Sequence, residues 1–225
     1  MRKISTLDNG LRIVTHYMPA VESVSFGVWN AVGCRDESEE INGTAHFLEH
    51  MLFKGTDMLG TVDYESEKVY LDSIESFYNT LSQTKDETKR ASIQEKINDL
   101  NLKASEFAIP NEFNRLIESF GGTGVNAFTS NDIIAYVSQF PAHQTQKWLS
   151  INSHRFENPV FRLFQSELET VYEEKNRSMD NAFRMLFEQF FANFFREHPY
   201  GQQTILGTKE HLKNPSIKKM KEYYD

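Results

Sequence analysis

Three side chains that could bind a metal ion lie close together in the segment His46-Phe47-Leu48-Glu49-His50. In a helix, residues three and four positions apart share a face, so His46, Glu49 and His50 would project together. Two neutral imidazoles one turn apart can hold Zn²⁺ at about 2.0–2.1 Å per Zn–N bond, and the carboxylate of Glu49 would lie beside the ion. The alternative is a pair of partly buried histidines whose rings are hydrogen-bonded and bind no metal.

A second, acidic segment further along the chain offers the third ligand that such an ion would need. A catalytic zinc ion has three protein ligands and one open position, and Glu167–Glu174 contains four glutamates in eight residues. Glu167 and Glu174 are two helical turns apart and so share a face, and Glu173 is adjacent to Glu174. These carboxylates would be costly to bury without a cation, whereas a solvated acidic helix face would need no ion.

The composition is that of an acidic globular protein. The 225 residues include 39% hydrophobic and 25% charged residues, with a formal net charge of −8. Binding to nucleic acid is therefore not expected, and basic peptides are favoured as partners. Cys34 is the only cysteine, which excludes an intramolecular disulfide. We expect no transmembrane segment and, since residues 1–8 lack the apolar region of a secretory signal, a cytoplasmic location, or a periplasmic one if a signal was removed.

Short strands are predicted near the N-terminus and in the middle of the chain. Asn9-Gly10 between two apolar runs is a strong hairpin signal. Residues 23–29 alternate, with apolar side chains on one face, as expected for a half-buried strand of an antiparallel sheet. Ser130-Asn131-Asp132 separates the strands of a second hairpin. The predicted strands are residues 4–7, 11–16, 23–29, 125–129 and 133–140.

The other segments are predicted to be helical. Pro110 is expected at the first position of a helix that ends at Gly121-Gly122. Residues 63–107 are strongly charged and predict a helical hairpin on the surface, with a solvated charged face. Strands followed by helices interleaved with hairpins indicate an α+β fold, in which an antiparallel sheet packs against helices. The predicted helices outside the hairpin are residues 45–53, 110–120, 142–155 and 160–195.

The end of the longest predicted helix is rich in phenylalanine. Its six phenylalanines recur at helical spacing, which is typical of side chains that face a hydrophobic core. The alternative is that they form a groove for a partner, in an unrelated helical binding module. These residues are Phe183, Phe187, Phe190, Phe191, Phe194 and Phe195.

The segment Gly43–Thr56 resembles the active-site helix of the pitrilysin/insulinase family of zinc peptidases, with its inverted order His-x-x-Glu-His. The branch that includes mitochondrial processing peptidase is the most similar at the N-terminus, whereas the helical segment at residues 63–107 resembles a longer form found in some bacterial members. Other landmarks of the family follow in order. They are Leu7–Val14, Asn126–Ser130, Glu167–Glu174, His198–Gly201 and Leu206–Thr208. The resemblance spans nearly the whole chain. It implies an α/β-roll peptidase domain and a zinc-dependent endopeptidase that hydrolyses peptides or unfolded polypeptide segments.

The resemblance also implies roles for individual residues. His46 and His50 correspond to ligands of a single zinc ion, and Glu49 corresponds to the general base. Glu174 falls at the position of the third ligand, with the adjacent Glu173 left open as an alternative. Glu167 falls at the position of a supporting catalytic carboxylate.

A strand and a partner are implied as well. Asn126, Ala127, Phe128 and Thr129 fall where the family pairs with the substrate backbone by strand addition, or else they form an ordinary internal strand. Family enzymes have two or four homologous domains, of which a later one donates an Arg/Tyr pair to the active site. We therefore expect residues 1–225 to be an N-terminal catalytic domain, truncated at its C-terminal end, with residues 63–107 as a helical insertion. The alternative function is a non-catalytic structural or partner subunit of the same fold.

Overall fold

The computed structural model describes all 225 residues and contains five strands. They are β1 (Arg2–Thr6), β2 (Arg12–His16), β3 (Ser23–Asn30), β4 (Thr123–Thr129) and β5 (Ile134–Pro141). β1 and β2 form an exposed antiparallel ribbon, and the other three form an antiparallel sheet in the order β3-β5-β4. Each predicted strand is present within a few residues. β4 lies at an edge of its sheet, with β5 as its only strand neighbour.

Ten helices complete the fold. They are α1 (Thr44–Met51), α2 (Tyr64–Gln83), α3 (Glu87–Ser105), α4 (Glu112–Ser119), α5 (Thr145–Glu157), α6 (Phe164–Met179), α7 (Ala182–Phe194), α8 (Pro199–Gln202), α9 (Lys209–Lys213) and α10 (Ile217–Tyr224). The predicted α+β class, with an antiparallel sheet packed against helices, is confirmed. None of the helices has both the length and the apolar character needed to cross a bilayer.

The main hydrophobic core surrounds α1. The apolar side chains of this helix are buried against β4, β5, α6 and α10. They are Ala45, Phe47, Leu48 and Met51, each at most 4% exposed. A smaller core between α4, β5 and α5 contains Phe113, Ile117, Phe140 and Trp148. The short α1 is thus held on several sides, which fixes the direction in which its polar residues point.

The predicted helical hairpin is present as α2 and α3, with most of its charged residues exposed, but its inner face contributes more to the core than a purely solvated hairpin would. Ile74 and Tyr78 of α2 and Ile97 of α3 belong to the main core. Glu67 of α2 is fully buried, in an ion pair with Arg162. The charged residues cover the outer face of the hairpin, and the sparse apolar stripe between them is sufficient to bury its inner face in the core.

Two helix boundaries also differ from the prediction. The long helix at residues 160–195 is two helices, because the side chain of Asn181 accepts a hydrogen bond from the amide of Arg184 and so begins a new helix. Pro110 is not the first residue of α4. Asn111, in the left-handed region at φ 58°, is its N-cap, and the helix begins at Glu112.

The phenylalanine-rich segment is the clearest correction. It was expected in the core, yet α7 has no buried residue. Phe183, Phe190 and Phe194 are 68%, 53% and 67% exposed. The helix packs mainly against α6 and α8, which cover too little of its surface to bury its aromatic face. Helical spacing of apolar residues thus predicted the helix correctly but not its surroundings.

Candidate metal centre

The N-terminus of α1 is fixed by a buried carboxylate. Glu37 Oε2 accepts a hydrogen bond from the amide of Gly43 at 2.9 Å, and Oε1 accepts one from the amide of Ala45 at 2.6 Å. Burial raises the pKa of Glu37 to about 7, although these hydrogen bonds oppose the shift. Gly43 has φ 94°, and a Cβ there would meet the backbone of Gly207 at 2.9 Å. A glycine is therefore required where the chain turns into the helix.

His46, His50 and Glu174 converge on one point. One ligand atom of each lies within 4.8 Å of the other two. The Oε2 atom of Glu174 is 3.5 Å from Nε2 of His46 and 3.6 Å from Nε2 of His50. Ligands of a tetrahedral zinc ion with bonds of about 2.0–2.1 Å are roughly 3.3 Å apart. The two nitrogens and one oxygen are thus a donor set of the right type and nearly the right spacing for zinc.

The protonation state of His46 is that of a metal ligand. Burial, together with the positive charges of His50 and Arg184, lowers the pKa of His46 to about 3. The ring is therefore neutral at pH 7 and has a lone pair available on one nitrogen. Its Nδ1 atom is buried without a hydrogen-bond partner. A ring that forms no hydrogen bond here fits the ion better than it fits the alternative of a hydrogen-bonded structural histidine.

His50 is oriented by Glu167 on the neighbouring helix. The two residues are 117 positions apart, and Nδ1 of His50 donates a hydrogen bond of 2.8 Å to Oε1 of Glu167. This contact leaves Nε2 of the ring directed at Glu174. Lys54 completes the group, because its Nζ forms an ion pair with the other oxygen of Glu167. A carboxylate behind a histidine ligand is the usual outer partner in zinc sites, where it fixes the ring's orientation.

The pKa values around His50 show that the site favours a cation. Burial lowers the pKa of His50, but the hydrogen bond to Glu167 and the charges of Glu174, Glu167 and Glu49 outweigh burial and raise it. Burial would raise the pKa of Glu167, yet contacts with His50 and Lys54 hold it below its ordinary value. The carboxylates that favour a proton on Nε2 of His50 would also favour a metal ion there.

Glu49 lies on the same helix face as the two histidines, and its position is fixed by β4. Its Oε2 atom accepts a hydrogen bond of 2.6 Å from Oγ1 of Thr129. Glu49 is only 7% exposed, and burial raises its pKa despite the opposing contact with Thr129. A buried carboxylate with a raised pKa is suited to accepting and releasing a proton.

The predicted substrate strand lies beside this helix. Residues Asn126 to Thr129 pair with β5 along one edge of β4, opposite Val137 to Ile134. The other edge of β4 has no strand partner. Asn126 and Phe128 are exposed, whereas Ala127 and Thr129 are half-buried towards α1. The strand is thus open for backbone pairing on the side away from β5, and it also supplies the hydrogen bond to Glu49.

Several residues of this arrangement were not found from the sequence. Glu37, Glu67 and Arg162 have no local pattern that marks them, because their partners are distant in the chain. Lys54 was not found for the same reason, since it lies beyond the end of α1 and its partner is the distant Glu167. Of the residues that were predicted, the structure brings His46, His50, Glu174, Glu167 and Glu49 together, while Glu173 is exposed on the outer side of α6.

Comparison with known proteins places these features in a family. The model of the family described as "Insulinase (Peptidase family M16)" matches residues 12–68 and 97–208. The unmatched residues 69–96 lie within the α2–α3 hairpin. The matched parts contain every residue of the candidate metal centre.

Curated relatives match over most of this chain but are considerably longer. An uncharacterized zinc protease of Rickettsia felis is 27% identical over 219 residues, 93% of this chain and 41% of that protein. A probable mitochondrial-processing peptidase subunit beta of Arabidopsis thaliana is 26% identical over 223 residues, 98% of this chain and 32% of that protein. The chain therefore spans well under half the length of these relatives.

Solved structures show the same architecture. A protease from Helicobacter pylori superposes with a TM-score of 0.71 at 24% identity, covering 100% of this chain and 42% of that one. The periplasmic protease PqqL from Escherichia coli gives a TM-score of 0.69 at 19% identity, covering 99% and 20% of the two chains. At these identities the likeness shows the fold alone. Because the family model matches most of its length, this chain belongs to the insulinase family of peptidases, family M16.

Proposed function

We propose that this chain contains the catalytic centre of a zinc-dependent endopeptidase that hydrolyses peptides or unfolded polypeptide segments. The observation that supports this most directly is the convergence of His46, His50 and Glu174 on one point. Glu49 projects from the same helix face as the two histidines. Three zinc ligands and a free carboxylate are the components needed for metal-assisted hydrolysis of an amide.

Zinc bound by these ligands would supply a water molecule of lowered pKa, about 7, and polarise the scissile carbonyl. Glu49 accepts the proton from the attacking water and then donates it to the leaving amine. Thr129 holds one oxygen of Glu49 and so directs the other towards the reacting atoms. Glu167 keeps the ring of His50 in position through Nδ1. Each of these residues acts at a fixed place, so little reorganisation is needed during the reaction.

The substrate would bind in extended form along the open edge of β4. Backbone pairing there is independent of side chains, which suits unfolded segments of varied sequence. It also places the scissile bond beside Glu49, since Thr129 belongs to both β4 and the hydrogen bond to that residue. A homologous domain or partner subunit would complete the site with an Arg/Tyr pair, in agreement with the greater length of the relatives.

Glu49→Gln tests this proposal. The variant keeps the size and hydrogen-bonding oxygen of the side chain but cannot accept the proton. We expect unchanged zinc content, measured by elemental analysis, and a loss of about 10²–10⁴-fold in the cleavage of an internally quenched peptide. Glu169→Gln, on the exposed side of α6, is the matched control and should cleave normally.

Two results would contradict the proposal. Full turnover by Glu49→Gln would show that Glu49 is not the general base. A wild-type chain that binds zinc but cleaves no peptide, even with the homologous domain supplied, would instead support a non-catalytic subunit.

A further inference from the structure

Arg162 is a fully buried arginine that lies outside the metal centre yet is connected to it. It is 1% exposed and pairs with Glu67, which is 0% exposed. Its Nε donates to Oε1 of Glu67 at 2.9 Å, and its Nη2 donates to Oε2 at 3.2 Å. Glu67 lies in the first turn of α2, and Arg162 lies two residues before α6 begins at Phe164. The pair therefore joins the helical hairpin to the helix that contains Glu167 and Glu174.

The guanidinium group also holds the loop that follows α1. Its Nη1 donates to the carbonyl oxygens of Lys54 at 2.7 Å and Leu59 at 2.9 Å, and its Nη2 donates to that of Thr56 at 2.6 Å. The fit is close, since a Cβ at Gly55 or at Gly60 would lie 2.8 Å from Nη1. A single side chain thus fixes three carbonyl groups of one loop.

Lys54 links this loop to the metal centre. Its carbonyl group is bound by Arg162, and its Nζ is paired with Glu167. Glu167 in turn accepts the hydrogen bond from His50. The path from Glu67 through Arg162, Lys54 and Glu167 to His50 consists of direct polar contacts at each step.

We propose that the Glu67–Arg162 pair positions Lys54, and through Lys54 the Glu167–His50 contact, for metal binding. The inference rests on the proposed function, because it assigns an outer layer to the same metal centre. A buried ion pair gives little net stability by itself, since desolvation of both charges opposes their attraction. A planar guanidinium with five donors is, however, well suited to fixing a loop in one geometry. The hairpin thereby contributes to the zinc site as well as to the core.

The first test is the zinc affinity of two variants and a control variant, measured by competition with a chromophoric chelator. Arg162→Lys keeps the charge but loses the planar guanidinium group with its five donors, and Lys54→Met removes only the ion pair with Glu167. We expect each to weaken zinc binding about tenfold, the lower end of the effect of losing an outer partner of a ligand. Glu75→Gln is the control on the same helix α2, where Glu75 pairs with Lys221 far from the loop, and it should bind zinc normally.

A double-mutant cycle separates positioning from a general structural role. If Arg162 acts through Lys54, then Arg162→Lys/Lys54→Met should bind zinc no more than about twofold more weakly than Lys54→Met alone. Additive losses, about a hundredfold together, would overturn the inference. The visible absorption of the Co²⁺-loaded proteins gives a second readout, because a shifted ligand geometry changes these bands whereas loss of global stability does not. If Arg162→Lys fails to fold, Glu67→Gln takes its place in the cycle.

The outcomes distinguish this inference from the proposed function. A wild-type chain that binds neither Zn²⁺ nor Co²⁺ would overturn both. A wild-type chain that binds zinc, with unchanged affinity and Co²⁺ spectrum in Arg162→Lys and Lys54→Met, would overturn the inference alone.

Discussion

The helices α1 and α7 differ in a way that their compositions do not suggest. α1 has eight residues, three of which are titratable and belong to the candidate metal centre, and most of it is buried. α7 has thirteen residues, five of them phenylalanine, and none is buried. The helix with the polar chemistry lies in the core, and the more apolar helix lies on the surface.

The neighbours of each helix explain the difference. α1 is enclosed by β4, β5, α6 and α10, whereas α7 packs mainly against α6 and α8. Several polar groups of α1 have partners within this enclosure. Glu37 accepts a hydrogen bond from the amide of Ala45, Thr129 donates one to Glu49, and Glu167 accepts one from His50. Burial therefore depends on how many elements surround a helix, and a helix with polar side chains can be buried where most of its polar groups have partners; Nδ1 of His46 is the exception in α1.

The largest effect is expected from the acidic residue that meets α1. Glu174→Gln should lower zinc affinity by more than the about 10- to 100-fold that loss of an outer partner causes, because it replaces the negatively charged carboxylate of the proposed third ligand by a neutral amide. Glu173→Gln, one position away and exposed, should leave the affinity unchanged. Isothermal titration with Zn²⁺ measures both. If Glu173→Gln weakens zinc binding and Glu174→Gln does not, then Glu173 is the third ligand.

A matched pair of methionines tests the difference in burial directly. Met51→Ala in α1 removes a side chain that is 0% exposed and should lower the free energy of unfolding by about 2–5 kcal/mol. Met185→Ala in α7 removes one that is 51% exposed and should change it by no more than about 0.5 kcal/mol. Urea unfolding of the metal-free proteins gives both values. Equal losses would show that α7 is buried in solution.

The N-terminal caps of the two helices predict a difference in pH dependence. The amides of α1 are bound by Glu37, whose pKa is raised by burial to about 7, whereas α7 is capped by the neutral Asn181. The folded state then binds more protons than the unfolded state between about pH 4.5 and pH 7, so stability falls as the pH rises through this range. The expected fall is on the order of 3 kcal/mol.

Glu37→Gln provides the comparison, because it removes the titration. The unfolding free energy of the wild type, relative to that of Glu37→Gln, should decrease from pH 4.5 to pH 7 and then level off. A relative stability that is constant or rises with pH would show that Glu37 is ionised throughout. Asn181→Ser should give no pH-dependent difference from the wild type.

The smallest effect is expected on the aromatic face of α7. Phe194→Ser lies at the end of the helix, where helix propensity matters little, and its side chain is 67% exposed. The change in unfolding free energy should be within about 0.5 kcal/mol. A loss of several kcal/mol in urea unfolding would contradict the exposed position of this face.

Local features were predicted well from the sequence because neighbouring residues determine them. The turn at Asn9-Gly10, the alternation of residues 23–29 and the common face of His46, Glu49 and His50 all follow from backbone geometry. The prediction of one continuous helix over residues 160–195 was wrong. Apolar periodicity continues across Asn181, but the side chain of that residue caps a second helix, α7.

By itself, the sequence determined which segments form strands and helices, and that two histidines and a glutamate share one helix face. It also contained the ordered motifs of the insulinase family. The strands, the helices and the shared helix face depend on residues within one or two turns of each other, where backbone geometry leaves few alternatives.

Only the tertiary structure decided which acidic residue meets the histidines, that Arg162 and Glu67 bind each other, and that the phenylalanines of α7 are exposed. Each of these depends on residues far apart in the chain, such as His50 and Glu167 at a separation of 117 positions. Their approach is fixed by how whole elements pack, and packing is the sum of many contacts that no short segment contains.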